Sequence, residues 1–319
     1  MGGAPQSPVL ALDIGGTKIA AGVVDADGHT RSFVVKPSRT ELGVDAVLGD
    51  LFSLGRTAVE ESGVDWRQIE AIGIGCGGPL DAEQGVLLAP PHLPGWHDVP
   101  VKELAEREYE RGVTLENDAT AAAAGEHRWG AGAGVDNMVY LTISTGVGGG
   151  VVIGGRLYRG SSGNGGELGH VTVDWHGRRC RGCGRLGCLE AYVSGTSIAE
   201  RAQEAGLAGA TAERVAAAAR DGDELAVRVW DETVEALSCG LISIVNLFEP
   251  QLVVLGGGVT RSGDQLLAPV REAVRAGAMQ PAGDTVDVVI SAFGDRVGVV
   301  GAAAIVFDGA AIGDALTNG

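Results

Sequence analysis

A chain of 319 residues with 41 Asp and Glu against 24 Lys and Arg carries a formal net charge of -17. Such a balance disfavours the basic surface that nucleic acid or an anionic membrane would need for counterion exchange, and it points to small-molecule partners. The length suffices for two domains. No apolar run spans a bilayer, and the first residues, MGGAPQSPV, lack the regions of a signal peptide, so a soluble cytoplasmic protein is expected. Five cysteines, with Cys76 and Cys239 isolated in apolar surroundings, fit a reducing compartment better than a disulfide framework.

Residues 9–13 form an apolar run into a glycine turn, and residues 19–24 resume it. DIGGTK, Asp13 to Lys18, is therefore predicted at the tip of a β-hairpin, with a third strand over 32–35. The motif lacks the four-residue spacer of a Walker A loop. Its glycines still let backbone approach a phosphate. The amides of Gly15, Gly16 and Thr17 and the Thr17 hydroxyl are candidate donors, Lys18 follows them, and Asp13 is a candidate Mg²⁺ ligand through water. An ordinary tight turn is the competing reading.

A helix is predicted over 44–62, a strand over 69–75, the loop CGGPLD over 76–81 and a Pro-rich loop over 89–100. A helix over 101–109 and a strand over 113–116 follow. The strand ends at Asn117-Asp118, before the Ala-rich stretch ATAAAAGEHRW. Asp118 suits the N-cap of that helix. At a strand's end in an α/β sheet it is also placed to accept a proton from a substrate hydroxyl, with Asn117 beside it to bind a neighbouring hydroxyl of a polyol.

The opening pattern then recurs: a strand over 138–143, the turn STGVGGG over 144–150 and a return over 151–153. A period of about 130 residues predicts two domains on one plan, each presenting a glycine tip to a common cleft. Ser144, Thr145, Gly146 and Gly148 are the second tip's candidates for phosphate. Helices are predicted over 197–205, 211–220 and 223–246. A strand over 251–255 runs into Gly256, Gly257 and Gly258, which either leave flat space for a nucleotide base or ribose or form a bare loop. A strand over 286–291 and a terminal helix over 299–307 complete an α/β alternation.

Between these halves' later elements lies ELGHVTVDWHGRRCRGCGRLGCLE, residues 167–190. His170, Cys180, Cys183 and Cys188 supply one imidazole and three sulfurs, a complete tetrahedral set for a structural zinc, leaving the carboxylates of Glu167 and Glu190 free for other work. His176 is a rival fourth ligand, and free or disulfide-bonded thiols are the alternative. The other histidines, His29, His92, His97 and His127, read as loop or helix-surface residues.

Taken together, DIGGTK, ENDA (116–119), STGVGGG, ELGH (167–170), the cysteine cluster ending in GCLE (187–190) and a late LGGGV resemble the ROK family, which groups bacterial repressors, open-reading-frame kinases and sugar kinases. The resemblance covers about residues 9–308 and implies a two-domain α/β fold of the actin/hexokinase-like (ribonuclease H-like) kind, with a cleft between the domains. A small domain over 1–118, completed by a C-terminal helix over about 298–319, and a large domain over 119–297 holding the zinc loop are expected.

By that resemblance Asp118 is the catalytic base. Asn117, Glu167, His170 and Glu190 bind the other sugar hydroxyls, with backbone at Gly77 and Gly78 completing the pocket, and His170 serves zinc through one ring nitrogen and the sugar through the other. The cofactors implied are ATP, catalytic Mg²⁺ and structural Zn²⁺. The activity implied is that of an ATP-dependent glucokinase; kinases for N-acetylmannosamine, N-acetylglucosamine, other amino hexoses or fructose share the same residues. Polyphosphate as donor is disfavoured by the intact cysteine cluster. A sugar-responsive transcription regulator of the family is disfavoured by the acidic chain and the eight residues ahead of the first strand, and a catalytically dead sugar-binding protein by Asp118 and both glycine tips. A homodimer or homotetramer is implied. In one departure from the family pattern, Arg181 and Gly182, two residues rather than one, separate the first two cysteines, which bears on the loop's geometry.

Overall fold

The computed structural model describes residues 7–316, with side chains through Asp308. The chain divides into two compact units. The first comprises the chain up to Ala133, Arg159–Gly165 and the chain from Asp295 onward; the second comprises Gly134–Tyr158 and Gly166–Gly294.

In the first unit, β1 (Val9–Ile14), β2 (Lys18–Val24), β3 (Thr30–Pro37), β4 (Ala71–Cys76) and, after a short hairpin of β5 (Leu80–Asp81) and β6 (Val86–Leu87), β7 (Gly112–Asn117) are its strands. Its helices are α1 (Val44–Ser62), α2 (Val101–Tyr109), α3 (Asp118–Trp129) and a terminal helix, Val297–Leu316. The main sheet runs β3-β2-β1-β4-β7, antiparallel through β1 and parallel beyond it. Four successive residues of β1, Val9 to Leu12, are wholly buried, as a strand covered on both faces requires. Helix α1 buries Val47, Leu48, Leu51, Leu54 and Ala58 along one stripe and stops at Gly63, whose φ of 69° closes the helix in the left-handed region.

Helix α3 and the terminal helix pair through small residues. A Cβ built on Gly125 would stand 3.0 Å from the Gly301 nitrogen, and one built on Gly301 would stand 2.5 Å from the Ala121 carbonyl, with buried alanines on both helices. This pairing carries the first unit past residue 118, the boundary expected from sequence, to Ala133, because α3 belongs with the terminal helix. It also fixes Asp118, the first residue of α3.

The second unit repeats the plan. Its strands are β8 (Met138–Ile143), β9 (Val147–Ile153), β10 (Arg156–Leu157), β11 (Leu252–Gly256) and β12 (Asp287–Ile290), in the order β10-β9-β8-β11-β12. Position by position this is the first sheet's order, with an antiparallel hairpin followed by two parallel strands. Its helices are α4 (Glu190–Val193), α5 (Gly195–Glu204), α6 (Ala212–Arg220), α7 (Glu224–Phe248), α8 (Asp264–Gly277) and α9 (Ala282–Thr285). Helix α8 is absent from the sequence reading. Pro269 stands inside it and reads as a breaker, yet Leu266, Leu267, Val270 and Val274 still form a buried helical stripe.

Candidate active site and metal centre

Strand register assembles the first unit's chemistry. Asp13 lies opposite Gly75 and Gly75 opposite Glu116; one step on, Ile14, Cys76 and Asn117 are level. Asp13, the Cys76–Gly78 turn and the Asn117-Asp118 pair therefore gather at the carboxyl ends of three adjacent parallel strands, where α/β sheets bind ligands.

The cap of α3 differs from the sequence reading. Asn117, with extended backbone, is the N-cap: its Oδ1 accepts from the amides of Ala119 (3.0 Å) and Thr120 (3.1 Å). Asp118 is the first helical residue, and its Oδ1 takes a share of the same Ala119 amide at 2.8 Å. The cap duty thus falls on the amide side chain, and the carboxylate is left at the mouth of the strand ends. Burial raises the Asp118 pKa, opposed by the charge of His92 and by the Ala119 amide. Asp13 is pushed up to about 7, first by burial and then by the Asp118 charge, with Lys18 pulling the other way. Two partly buried carboxylates, the charge of Asp118 disfavouring that of Asp13, make a fitting seat for a hydrated divalent cation. Behind them, Glu116 is buried; its Oε1 accepts from the Asn117 amide at 2.9 Å, and Arg159 Nε donates to its Oε2 at 2.6 Å.

Both glycine tips form as predicted, with fewer free donors than the sequence suggests. The Gly15 amide donates to the Lys18 carbonyl at 3.0 Å, closing the first hairpin, so Gly16 and Thr17 carry the amides that point to no protein acceptor among the described residues. Ser38 braces this tip through its hydroxyl to the Gly16 carbonyl (2.6 Å). In the second unit Ser144 donates to the Gly146 carbonyl at 2.9 Å, which leaves the Thr145 and Gly146 amides in the equivalent role. Thr17, Lys18, Ser144 and Thr145 are exposed, whereas Gly148 lies within β9 opposite Thr142.

The three glycines after Leu255 divide by task. A Cβ on Gly256 would stand 2.2 Å from the Tyr140 Oη, and one on Gly257, where φ is 88°, would stand 2.3 Å from the Ile143 carbonyl. Packing and backbone demand those two. Only Gly258 opens onto free space, so of the two readings, ligand space or bare loop, the first is left to one residue.

The metal candidates do converge. Donor atoms of His170, Cys180, Cys183 and Cys188 all lie within 4.8 Å of one another, with Cys183 Sγ to Cys188 Sγ at 3.5 Å and Cys180 Sγ to His170 Nδ1 at 3.7 Å. Ligands held tetrahedrally at about 2.3 Å from zinc stand about 3.7 Å apart, so the set fits this ion, and the two-residue spacer at Arg181-Gly182 does not disrupt it. Burial, and then the Glu190 carboxylate, push the Cys180 thiol up, so its thiolate needs the compensating charge of a bound dication. His176 stands outside the cluster. The Nε2 of His170 faces away from the sulfurs, 3.9 Å from Glu167 Oε2. With Nδ1 on a metal, that Nε2 carries the proton and becomes a donor. Glu190, at the start of α4, links this loop to the second tip: Cys180 Sγ donates to its Oε1 (3.2 Å) and the Val147 amide to its Oε2 (3.0 Å).

One residue near Asp118 carries no signal in the sequence. His92 reads as a loop histidine, yet its ring lies against Gly77 and within electrostatic reach of Asp118. Nothing in APPHLPGW distinguishes it, because its neighbours come from distant loops.

Two α/β units whose sheets share one strand order and each present a glycine tip define the actin/hexokinase-like class of fold. Within that class the chain belongs to the ROK family, which matches residues 9–308. It is 38% identical over 317 residues to the glucokinase of Thermotoga maritima, covering 95% of this chain and 98% of that protein. A ROK hexokinase from Thermus thermophilus is 39% identical, with a TM-score of 0.79 and coverage of 96% of this chain and 99% of the other. A ROK family glucokinase from Streptomyces griseus, crystallised with glucose and AMPPNP, is 34% identical with a TM-score of 0.81, covering 93% of this chain and 98% of its own.

Proposed function

We propose that this chain is an ATP-dependent glucokinase that transfers the γ-phosphoryl group of ATP to the 6-hydroxyl of glucose, with Asp118 as general base. The observation that carries the reading is the Asp118 carboxylate, sharing one cap amide with Asn117 through Oδ1 alone, raised in pKa by burial, and set at the ends of the parallel strands. A raised pKa brings a carboxylate nearer to the basicity a general base needs. The hydroxyl proton passes to Asp118 as the sugar oxygen bonds to phosphorus and the bridging bond to ADP breaks, a reaction that asks mainly for positioning and neutralised charge.

Asn117, Glu167, His170 and Glu190 are the side chains assigned to the remaining hydroxyls, with the Gly78 backbone beside Asn117. The Gly16, Thr17, Thr145 and Gly146 amides, with Gly15, Lys18, Ser144 and Gly148 around them, are assigned to the phosphates, and Gly258, held in place by Gly256 and Gly257, to the nucleoside end. Asp13 would hold Mg²⁺, which supplies charge neutralisation at the phosphates. Zinc on His170, Cys180, Cys183 and Cys188 would be structural. Among the described residues no helix is long and apolar enough to cross a membrane, and the retained thiols suit a reducing compartment. A cytoplasmic homodimer or homotetramer completes the proposal.

The test is ADP release with glucose, mannose, fructose and the N-acetylated and amino hexoses. Glucose is expected to show the highest kcat/KM, and Asp118→Asn to lower kcat by about 10³-fold with little change in glucose binding. Near wild-type turnover in Asp118→Asn would remove the base assignment, and preference for an N-acetylated hexose would reassign the substrate.

A further inference from the structure

His92 sits in the segment between β6 and α2, pinned by Leu93 and Trp96, which are 1% and 0% exposed within the first unit's core. With those anchors buried, the residue is fixed against two glycine loops at once. A Cβ built on Gly77 would stand 2.4 Å from the His92 Cε1, 3.0 Å from Nε2 and 3.1 Å from Nδ1, so the ring covers that glycine. A Cβ built on Gly16 would stand 2.8 Å from the His92 carbonyl oxygen and 3.0 Å from its Cβ. The next glycine along, Gly78, lies beside the Asn117 amide: a Cβ there would be 3.6 Å from Nδ2. Imidazole, amide and the Asp118 carboxylate thus share one small polar surface at the strand ends.

The ring is half-buried, and neither nitrogen hydrogen-bonds to protein among the described residues. Burial pushes its pKa down, against the pull of Asp118, which favours the neutral imidazole with one donor and one acceptor nitrogen. Both nitrogens stay open to a partner from outside the chain, and in a half-buried setting a ligand can displace the water that otherwise meets them. A sugar hydroxyl, able both to donate and to accept, matches either nitrogen.

We propose that His92 is a further sugar-binding residue, its imidazole hydrogen-bonding one hydroxyl of the hexose over Gly77. The inference rests on the sugar-kinase reading of the Asp118 site. The alternative is a wedge that merely spaces the two glycine loops.

The experiment compares wild type, His92→Phe and His92→Ala on glucose and on its 1-, 2-, 3- and 4-deoxy analogues. Phenylalanine keeps a ring over Gly77 but forms no hydrogen bond. In wild type, loss of the recognised hydroxyl is expected to lower kcat/KM by about 10- to 100-fold, the usual effect of leaving a buried polar group unpaired. In both variants that one penalty should shrink to within about threefold, while the penalties at the other positions and the KM for ATP hold. If His92→Phe keeps every wild-type penalty, the residue is a wedge and the proposal fails, whatever happens to overall activity. Should the alanine variant not fold, the phenylalanine variant alone decides the matter. A wild type that phosphorylates no hexose would overturn the sugar-kinase reading itself, and this inference with it.

Discussion

Asp13 shows how one buried carboxyl group can weaken the fold. Its pKa of about 7 in the folded chain, set by burial and the Asp118 charge, lies well above the value of about 3.9 for a free aspartate. Between those two values the native state holds a proton that the unfolded chain has released. Stability therefore falls as pH rises from about 4 to 7 and stays lowered above that range. Asp13→Asn removes the titration. Its melting temperature should exceed that of wild type at pH 8, by a margin that narrows at pH 5.5, while kinase activity drops. Equal margins at the two pH values would show that Asp13 ionises normally. Magnesium with nucleotide should raise the wild-type melting temperature at pH 8 and have a smaller effect on the variant, because the cation relieves the repulsion between the two carboxylates.

Among the elements, the start of α3 joins stability to binding in a separable way. Asn117 Oδ1 caps the helix, and its Nδ2 is the group assigned to the sugar. Asn117→Ser keeps an oxygen for the cap and loses the amide donor, whereas Asn117→Ala loses both. The serine variant should melt within about 2 °C of wild type, and the alanine variant about 2–4 °C lower, for a cap contribution of about 1 kcal/mol. Both should show a raised KM for glucose. If serine restores glucose KM, the amide is not a sugar ligand. The zinc loop admits a similar division, because Glu190 ties Cys180 to the Val147 amide of the second tip. Cys183→Ser is expected to lose stoichiometric metal and at least about 5 °C of melting temperature, and to speed hydrogen exchange at Val147. Full zinc occupancy and unchanged melting in that variant would contradict a structural metal.

These elements also mark where the sequence could be read. Helices α1 and α2 begin and end at the predicted residues, since apolar stripes in both, and a closing glycine after α1, are local signals. The ligand set at 170–188 was legible for the same reason: its four members fall in one short segment. Which of Asn117 and Asp118 caps α3 is a one-residue matter of backbone conformation, decided by the extended geometry at 117, and pattern alone does not resolve it. Helix α8 was hidden by Pro269, a local breaker that a buried stripe outweighs. The setting of His92 depends on Gly16 and Gly77, brought beside it only by the folded first unit.

For the molecule as a whole, the net charge of -17 bears on how an anionic substrate reaches it. Electrostatic steering raises association rates when protein and ligand differ in sign; here both protein and magnesium-ATP are negative, so the long-range field opposes encounter. The groups proposed to meet the phosphates are backbone amides and Lys18, short-range partners that salt screens less than charges separated by more than a Debye length. Raising ionic strength from 10 to 150 mM shortens that length from about 30 Å to about 8 Å. With magnesium-ATP varied, kcat/KM should therefore rise about twofold over this range. With glucose varied at saturating nucleotide, it should stay flat, because a neutral sugar does not feel the field. A fall with salt in the nucleotide series would mean that a local positive field at the glycine tips governs encounter, and a parallel rise with glucose would trace the effect to folding stability instead, since screening also relieves the self-repulsion of an acidic chain.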